Sequence, residues 1–170
     1  PGELRAEGEV KALFLDEPTP ADPSRSPARD APSPNRGRVT ITSERFHYQE
    51  SQRRGVFTGE VRARNQFGVL TAPRLEVFLR GEGRGSERVE RAQASGGVRI
   101  EQPRGWAAGE EAEYRAAEQT VVLWGGSPTL SDRDRSQTSG ARLTLFLADG
   151  TILVESADGI PTVTRRPWTQ

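Results

Sequence analysis

The residues of this chain that could do chemistry are few, and their spacing serves chemistry poorly. His47 is the only histidine, so it stands alone as a general base, and metal centres built from several imidazoles are excluded. Its neighbours Phe46 and Tyr48 place it in an alternating segment, on the face opposite both rings, where an exposed strand histidine is the plain reading. Glu110, Glu111 and Glu113 could supply an acid and a base. Strand spacing instead puts Glu111 and Glu113 together on a wet face. Asp132-Arg133-Asp134-Arg135 alternates acids as a calcium loop does, but arginine separates them and the required glycine and glutamate do not follow. Gly81-Glu82-Gly83-Arg84-Gly85-Ser86 lacks the lysine of a phosphate-binding loop and leads into no helix, so it reads as a hairpin loop. Serines lack a nucleophile-elbow pattern around them. With no cysteine, disulfides, thiolate metal sites and cysteine nucleophiles are excluded. The expectation is a protein that is not an enzyme and holds no cofactor and no metal.

The elements that would position these residues repeat. Arg74-Leu75-Glu76-Val77-Phe78-Leu79 and Arg142-Leu143-Thr144-Leu145-Phe146-Leu147 are two copies of one pattern. Weaker copies align Thr42-Ser43-Glu44-Arg45-Phe46-His47-Tyr48 and Ala108-Gly109-Glu110-Glu111-Ala112-Glu113-Tyr114 beneath them, with anchors at Phe46, Leu75, Ala112 and Leu143. Small residues lead each copy, and apolar residues follow at every second position. A second block alternates with the first: Thr58-Gly59-Glu60-Val61-Arg62-Ala63 matches Gly96-Gly97-Val98-Arg99-Ile100, with echoes at Glu7 to Ala12 and Gly125 to Leu130. A unit made of paired short strands cannot bury its apolar face alone, so the copies must stack.

From Val39 onward the period is two, with Phe57, Val61, Leu75, Val77, Val98, Ile100, Tyr114, Leu143 and Leu145 on the dry side. Leu70, Leu79, Val122, Ile152 and Val154 are assigned to the same side. Turn residues punctuate at Asn65 to Gly68, Gly81 to Gly85, Pro103 to Gly105, Gly125 to Pro128, Asp149-Gly150 and Asp158-Gly159. Asp149-Gly150 predicts a two-residue primed turn. Gly109 to Gln119 holds good helix formers, but it falls on a repeat that elsewhere reads as strand, and strand is the expectation. Asp16 to Arg38 is rich in proline and polar residues and reads as a flexible insertion in one domain spanning residues 1–170.

Lysine plus arginine equal aspartate plus glutamate at 24 each, so neither nucleic acid nor an anionic membrane is expected as a partner. No apolar run approaches the ~20 residues that span a bilayer as a helix. The start at Pro1-Gly2-Glu3, without methionine, fits a processed chain or a piece of a longer one. A sheet with no helix to cover it must close or leave a groove. A groove lined by Phe46, Tyr48, Phe57, Val61, Leu75, Val77, Val98, Ile100, Tyr114, Leu143 and Leu145 would suit acyl chains.

The order of small and apolar residues in Val56 to Ala63, Gly68 to Leu75, Ala94 to Gln102 and Gly109 to Pro128 resembles the OstA-like family of lipopolysaccharide transport proteins, over roughly Val39 to Gly159. The resemblance implies an all-β fold, an open twisted antiparallel β-jellyroll in the periplasm. It also implies lipid A acyl chains held inside, and end-to-end strand pairing with itself or with LptC-like and LptD-like modules to bridge the inner and outer membranes. Two other classes stay open. A structural β-repeat of the envelope would carry the same pattern without a lipid ligand, and a glycan-binding protein would use Phe78, Phe146, Trp106 or Trp124 on a wet face.

Overall fold

The computed structural model describes residues 2–15, 38–81, 88–132, 137–156 and 161–164. The expected loops at Gly81 to Gly85 and Asp158-Gly159 fall almost wholly outside these residues, as does the proline-rich stretch apart from Arg38. Alternating β-branched and aromatic residues favour a pleated, half-buried surface. The described chain is accordingly strand throughout, with one 3-10 turn at Glu50–Gln52. The strands are β1 (Glu3–Leu15), β2 (Arg38–Gln49), β3 (Arg54–Arg64), β4 (Val69–Arg80), β5 (Arg88–Gln102), β6 (Gly105–Arg115), β7 (Thr120–Trp124), β8 (Thr129–Asp132), β9 (Gln137–Ser139), β10 (Arg142–Phe146), β11 (Ile152–Glu155) and β12 (Pro161–Thr164). The segment from Gly109 is strand up to Arg115, as its place in the repeat predicts.

One sheet holds them all, in the order β1-β2-β3-β4-β5-β6-β7-β10-β11-β12, with β8 on β6 and β9 on β8. Each long pairing loses register near its middle, at Glu7/Val10, Thr42/Arg45, Thr58/Val61, Thr71/Arg74 and Ser95/Val98. In the later part the interruption becomes a break. β7 and β8 both pair with β6, one on each of its halves, and Gly125 to Pro128 spans the gap between them. That segment, expected to punctuate the strands, is a corner within a strand line. The corners form a line that divides the sheet into two wings. Wing A carries residues 10–15, 38–43, 61–64, 69–72, 98–102, 105–109, 129–132 and 137–139; wing B carries the remaining strand segments.

The repeats and the corners are the same feature. At Thr58/Val61 and Ser95/Val98, strands β3 and β5 carry one residue more than the strands beside them. Their inward residues lie four apart, as in Phe57 and Val61 or Ala94 and Val98, whereas in β4 Ala72 and Leu75 are both buried three apart. Alternation thus flips once in β2, β4 and β6, at the small residue that leads each copy. The second block supplies the opposite partner: Gly8, Gly59 and Gly96 have φ of 102°, 81° and 91°, which L side chains adopt only with strain.

The repeat anchors Phe46, Leu75, Ala112 and Leu143 fall in a single row across wing B, interleaved with Phe57, Ala94 and Leu123. Every member of that row belongs to the core or packs against it. Val122 departs from expectation: it sits opposite Glu113 and Thr144 on the outer face, while Val121 and Leu123 turn inward. The β10–β11 connection is also longer than predicted. Phe146 N–H donates to Thr151 O at 2.8 Å and Gly150 N–H to Phe146 O at 2.9 Å, giving a loop of residues 147–150. Leu147 is buried and its N–H donates to Gln119 O at 2.8 Å, so the strand end is tied down before the Asp-Gly pair can close a tight turn.

Candidate functional site

The concave side of the sheet is the feature with chemical consequence. Phe14 of wing A meets Phe57 of wing B edge-on, with centroids 6.1 Å apart, so the inward faces of the two wings touch across the fold. Leu15 of β1 pairs with Arg88 of β5 and joins the wings at one place. All eleven residues expected to line a groove belong to this inward face. Phe57, Val61, Leu75, Val77, Val98, Ile100, Leu143 and Leu145 are at most 8% exposed. Phe46, Tyr48 and Tyr114 are only partly buried.

The partial exposure is local, on β2 at Phe46 and Tyr48 and on the β6–β7 pair at Tyr114 and Val121. Beside the corner line the wing B row holds Phe57, Leu75, Ala94, Ala112, Leu123 and Leu143, all buried. One row outward the half-buried Tyr48, Ala92, Tyr114 and Val121 share the ladder with Val77, Leu145 and Ile152, which are buried, and beyond them Leu79 and Val89 are buried again. Phe14, Val39 and Leu70 are likewise partly buried in wing A. Phe46 lies over Gly55, where a Cβ would stand 3.0 Å from the Phe46 ring, and Phe46 stacks on Phe57 with centroids 4.5 Å apart. Neither inward row of wing B contains a charged residue. An apolar surface with half-open positions such as these can take flexible hydrocarbon without desolvating a charge. The inward residues missed by sequence reasoning include the half-buried Phe14, Val39, Ala92 and Val121 and the buried Ile41, Val89, Leu123 and Leu130. Ala92 lacks the size that marks a lining position, and Phe14 precedes the repeat region.

The outer face carries the charge. Glu76 accepts from Arg54 at 2.6 Å and from Arg74 at 2.6 Å. Partial burial by itself raises the Glu76 pKa, but the Arg74 hydrogen bonds and the Arg54 guanidinium outweigh it and hold the carboxyl below its ordinary value. Glu113 bonds Arg115 and lies 3.5 Å from Arg91. The wet-face aromatics are mostly covered: Arg91 stands 4.1 Å over Phe78 and Arg99 4.4 Å over Trp106. Phe146 stays 37% exposed, and Trp124 lies opposite Glu111 and Arg142.

Among the described residues the acids and the histidine singled out above are not brought together. His47 Nε2 lies 3.5 Å from Glu3 Oε2 on the outer face. Glu110 sits at a corner against Gly125, away from paired Glu113. Among the described residues no group of three His, Cys, Asp or Glu could hold a metal ion, and no helix is long and apolar enough to cross a membrane. A concavity of about 360 Å³ opens between the tips of the β3–β4 and β5–β6 turns, lined by Arg64, Phe67, Glu101 and Gln102 among others. None of the eleven inward residues contributes to it.

Comparison with known proteins agrees with this architecture. The structure is similar to the crystal structure of LptH from Pseudomonas aeruginosa, the LptA-homologous periplasmic component of its lipopolysaccharide transport device, with a TM-score of 0.61 and 14% identity over 76% of this chain and 95% of that one. This likeness establishes the open β-jellyroll fold. No curated protein matches the sequence. The family model for the LptA and LptD N-terminal domain lipopolysaccharide transport proteins matches residues 40–151, which spans the bend line and most of both wings. The chain belongs to that family of lipopolysaccharide transport proteins.

Proposed function

We propose that this chain is a periplasmic lipopolysaccharide-binding transport module that shields lipid A acyl chains between its two wings. In this reading it acts as a carrier and catalyses no reaction. One observation carries it: the two inward rows of wing B beside the corner line are free of charge and leave Phe46, Tyr48 and Tyr114 half-open. Hydrocarbon entering there would extend the core, and apolar burial contributes roughly 25 cal/mol per Å² before ordering costs. The buried lining residues Phe57, Val61, Leu75, Val77, Val98, Ile100, Leu143 and Leu145 form the floor on which the chains rest.

We further propose that residues 1–170 form one domain with Asp16 to Arg38 inserted in it, which the direct pairing of β1 with β2 supports. Bridging of the inner and outer membranes would use the sheet ends. Among the described residues β1 has no second neighbour along Glu3 to Phe14, and β12 ends the opposite side. Unpaired strand edges add strands from another molecule, here a second copy or an LptC-like or LptD-like module.

The tight packing of eight of the eleven lining residues also favours a second reading, a structural module of the envelope without a lipid ligand. Mass spectrometry of the intact chain purified from a Gram-negative host separates the two. Co-purified lipopolysaccharide supports the carrier; its absence, together with failure to take up added lipopolysaccharide, leaves the structural module.

A further inference from the structure

The outer-face arginines cover two aromatic rings and leave a third open. Arg91 lies directly opposite Phe78 in the β4–β5 ladder and stands 4.1 Å over its ring, and Arg99 stands 4.4 Å over Trp106. Arg142 is placed opposite Trp124 in the same way, yet among the described residues no guanidinium covers the Trp124 ring. The next strand accounts for the difference. Glu155 of β11 is opposite Arg142 on the side away from β7, and its Oε2 lies 3.7 Å from Arg142 Nε. The ion pair draws the guanidinium off the indole.

Trp124 also stands in an unbroken row of polar groups. Ser95, Glu111, Trp124 and Arg142 are successive partners across β5, β6, β7 and β10, and alternation against the buried Ala94, Ala112, Leu123 and Leu143 puts all four on the outer face. Their Cβ atoms stand ~5 Å apart from strand to strand. Ser95, Glu111 and Trp124 are half-buried and Arg142 is exposed. On the corner side the chain continues as Gly125-Gly126, which sets no side chain beside the ring, and Glu110 lies over the two glycines. An open indole flanked by a carboxylate acceptor and a guanidinium donor matches a pyranose ring. The C–H groups of one sugar face pack on the π-face, while hydroxyls donate to Glu111 and accept from Arg142. A cation over the same ring would meet the Arg142 charge one strand away and be repelled.

We propose that Trp124, Glu111, Arg142 and Ser95 form a saccharide site on the outer face. Its ligand is a β-linked chain of glucopyranose type, whose rings carry equatorial substituents and so present flat C–H faces. The site lies across the sheet from the apolar groove, so this glycan is separate from any lipid held there, and the site stands whether or not the carrier reading holds.

The three tryptophans of the chain give indole N–H signals that read the site by nuclear magnetic resonance without altering it, and Trp124→Phe assigns the one that matters. Cellotetraose is titrated into the full chain through the millimolar range, because one stacked ring with a few hydrogen bonds binds weakly. The expected result is a saturable shift of the Trp124 signal with Trp106 unmoved. Circular dichroism confirms that each variant is folded. Trp124→Ala weakens cellotetraose binding about tenfold, Trp124→Phe keeps a stacking face and stays within about threefold of the unaltered chain, and Phe146→Ala, which removes an exposed ring outside the row, changes nothing. Glu111→Ala removes the acceptor and leaves the ring, so it carries the same about tenfold loss and serves in place of Trp124→Ala if that variant does not fold. The absence of a saturable shift at Trp124, equal shifts at all three indoles, or unchanged binding in a folded Trp124→Ala or Glu111→Ala variant overturns the site. Tetramethylammonium is titrated in parallel, and a Trp124 shift with it but none with cellotetraose overturns the saccharide assignment in favour of a cation.

Discussion

The Glu44 side chain of β2 lies across Gly59 of β3, with its Cβ 2.8 Å from where a Gly59 Cβ would stand, and Gly59 itself has φ of 81°. Pro73 lies on Gly96 in the same relation, its Cγ 3.2 Å from the equivalent point. The bend of the sheet therefore depends on glycine in one strand and on the side chain of its neighbour. Gly59→Ala should lower stability by about 2–3 kcal/mol, combining left-handed strain with the clash. Gly8→Ala, at φ of 102° with nothing within 4 Å, should cost only about 1–2 kcal/mol from the backbone. Urea midpoints measure both. Equal losses would remove the corner contact from the account.

Glu76 gives a pH signature. Its folded pKa lies below its ordinary 4.5, so it contributes stability above that value and loses the contribution as pH falls through the lowered one. Screening by solvent limits the contribution to about 0.5 kcal/mol. Glu76→Gln should show that loss at pH 7, and the gap from the unaltered chain should close at pH values below the ordinary carboxylate range. A gap that widened on acidification would give Glu76 the wrong sign.

Edge pairing predicts association that grows with concentration. β12 pairs with β11 and begins at Pro161, which has no N–H to offer a neighbour. This short strand covers β11, so deleting 159–170 should bare Ile152–Glu155 and lengthen head-to-tail rods. Light scattering over a hundredfold concentration range reads the mass. A constant monomer mass for both forms would contradict end-to-end assembly.

The sequence made the strand pairs and their row legible because both are local. Phe46, Leu75, Ala112 and Leu143 could be aligned by eye, and the structure sets them side by side. It hid the corners. Ala72 and Leu75 are both inward at a spacing of three, and only the neighbouring strand, with its extra residue, explains why period two fails there. Val122 was misplaced for a related reason. Three apolar residues in succession, Val121, Val122 and Leu123, carry no alternation, and the pairing with Glu113 alone turns Val122 outward. The tight Asp-Gly turn was missed because a distant bond, Leu147 N–H to Gln119 O, sets where β10 ends.

The central claim is that lipid occupies the inward face, and adjacent residues on opposite faces test it most directly. Tyr114 faces inward and half-buried, while Glu113 beside it pairs with Arg115 and Arg91 outside. Photo-crosslinking residues placed singly at Tyr114, Val77 and Leu145 should label lipopolysaccharide, and the same residue at Glu113, Glu76 and Thr144 should not. Equal labelling from both faces, or labelling from the outer set alone, would contradict it.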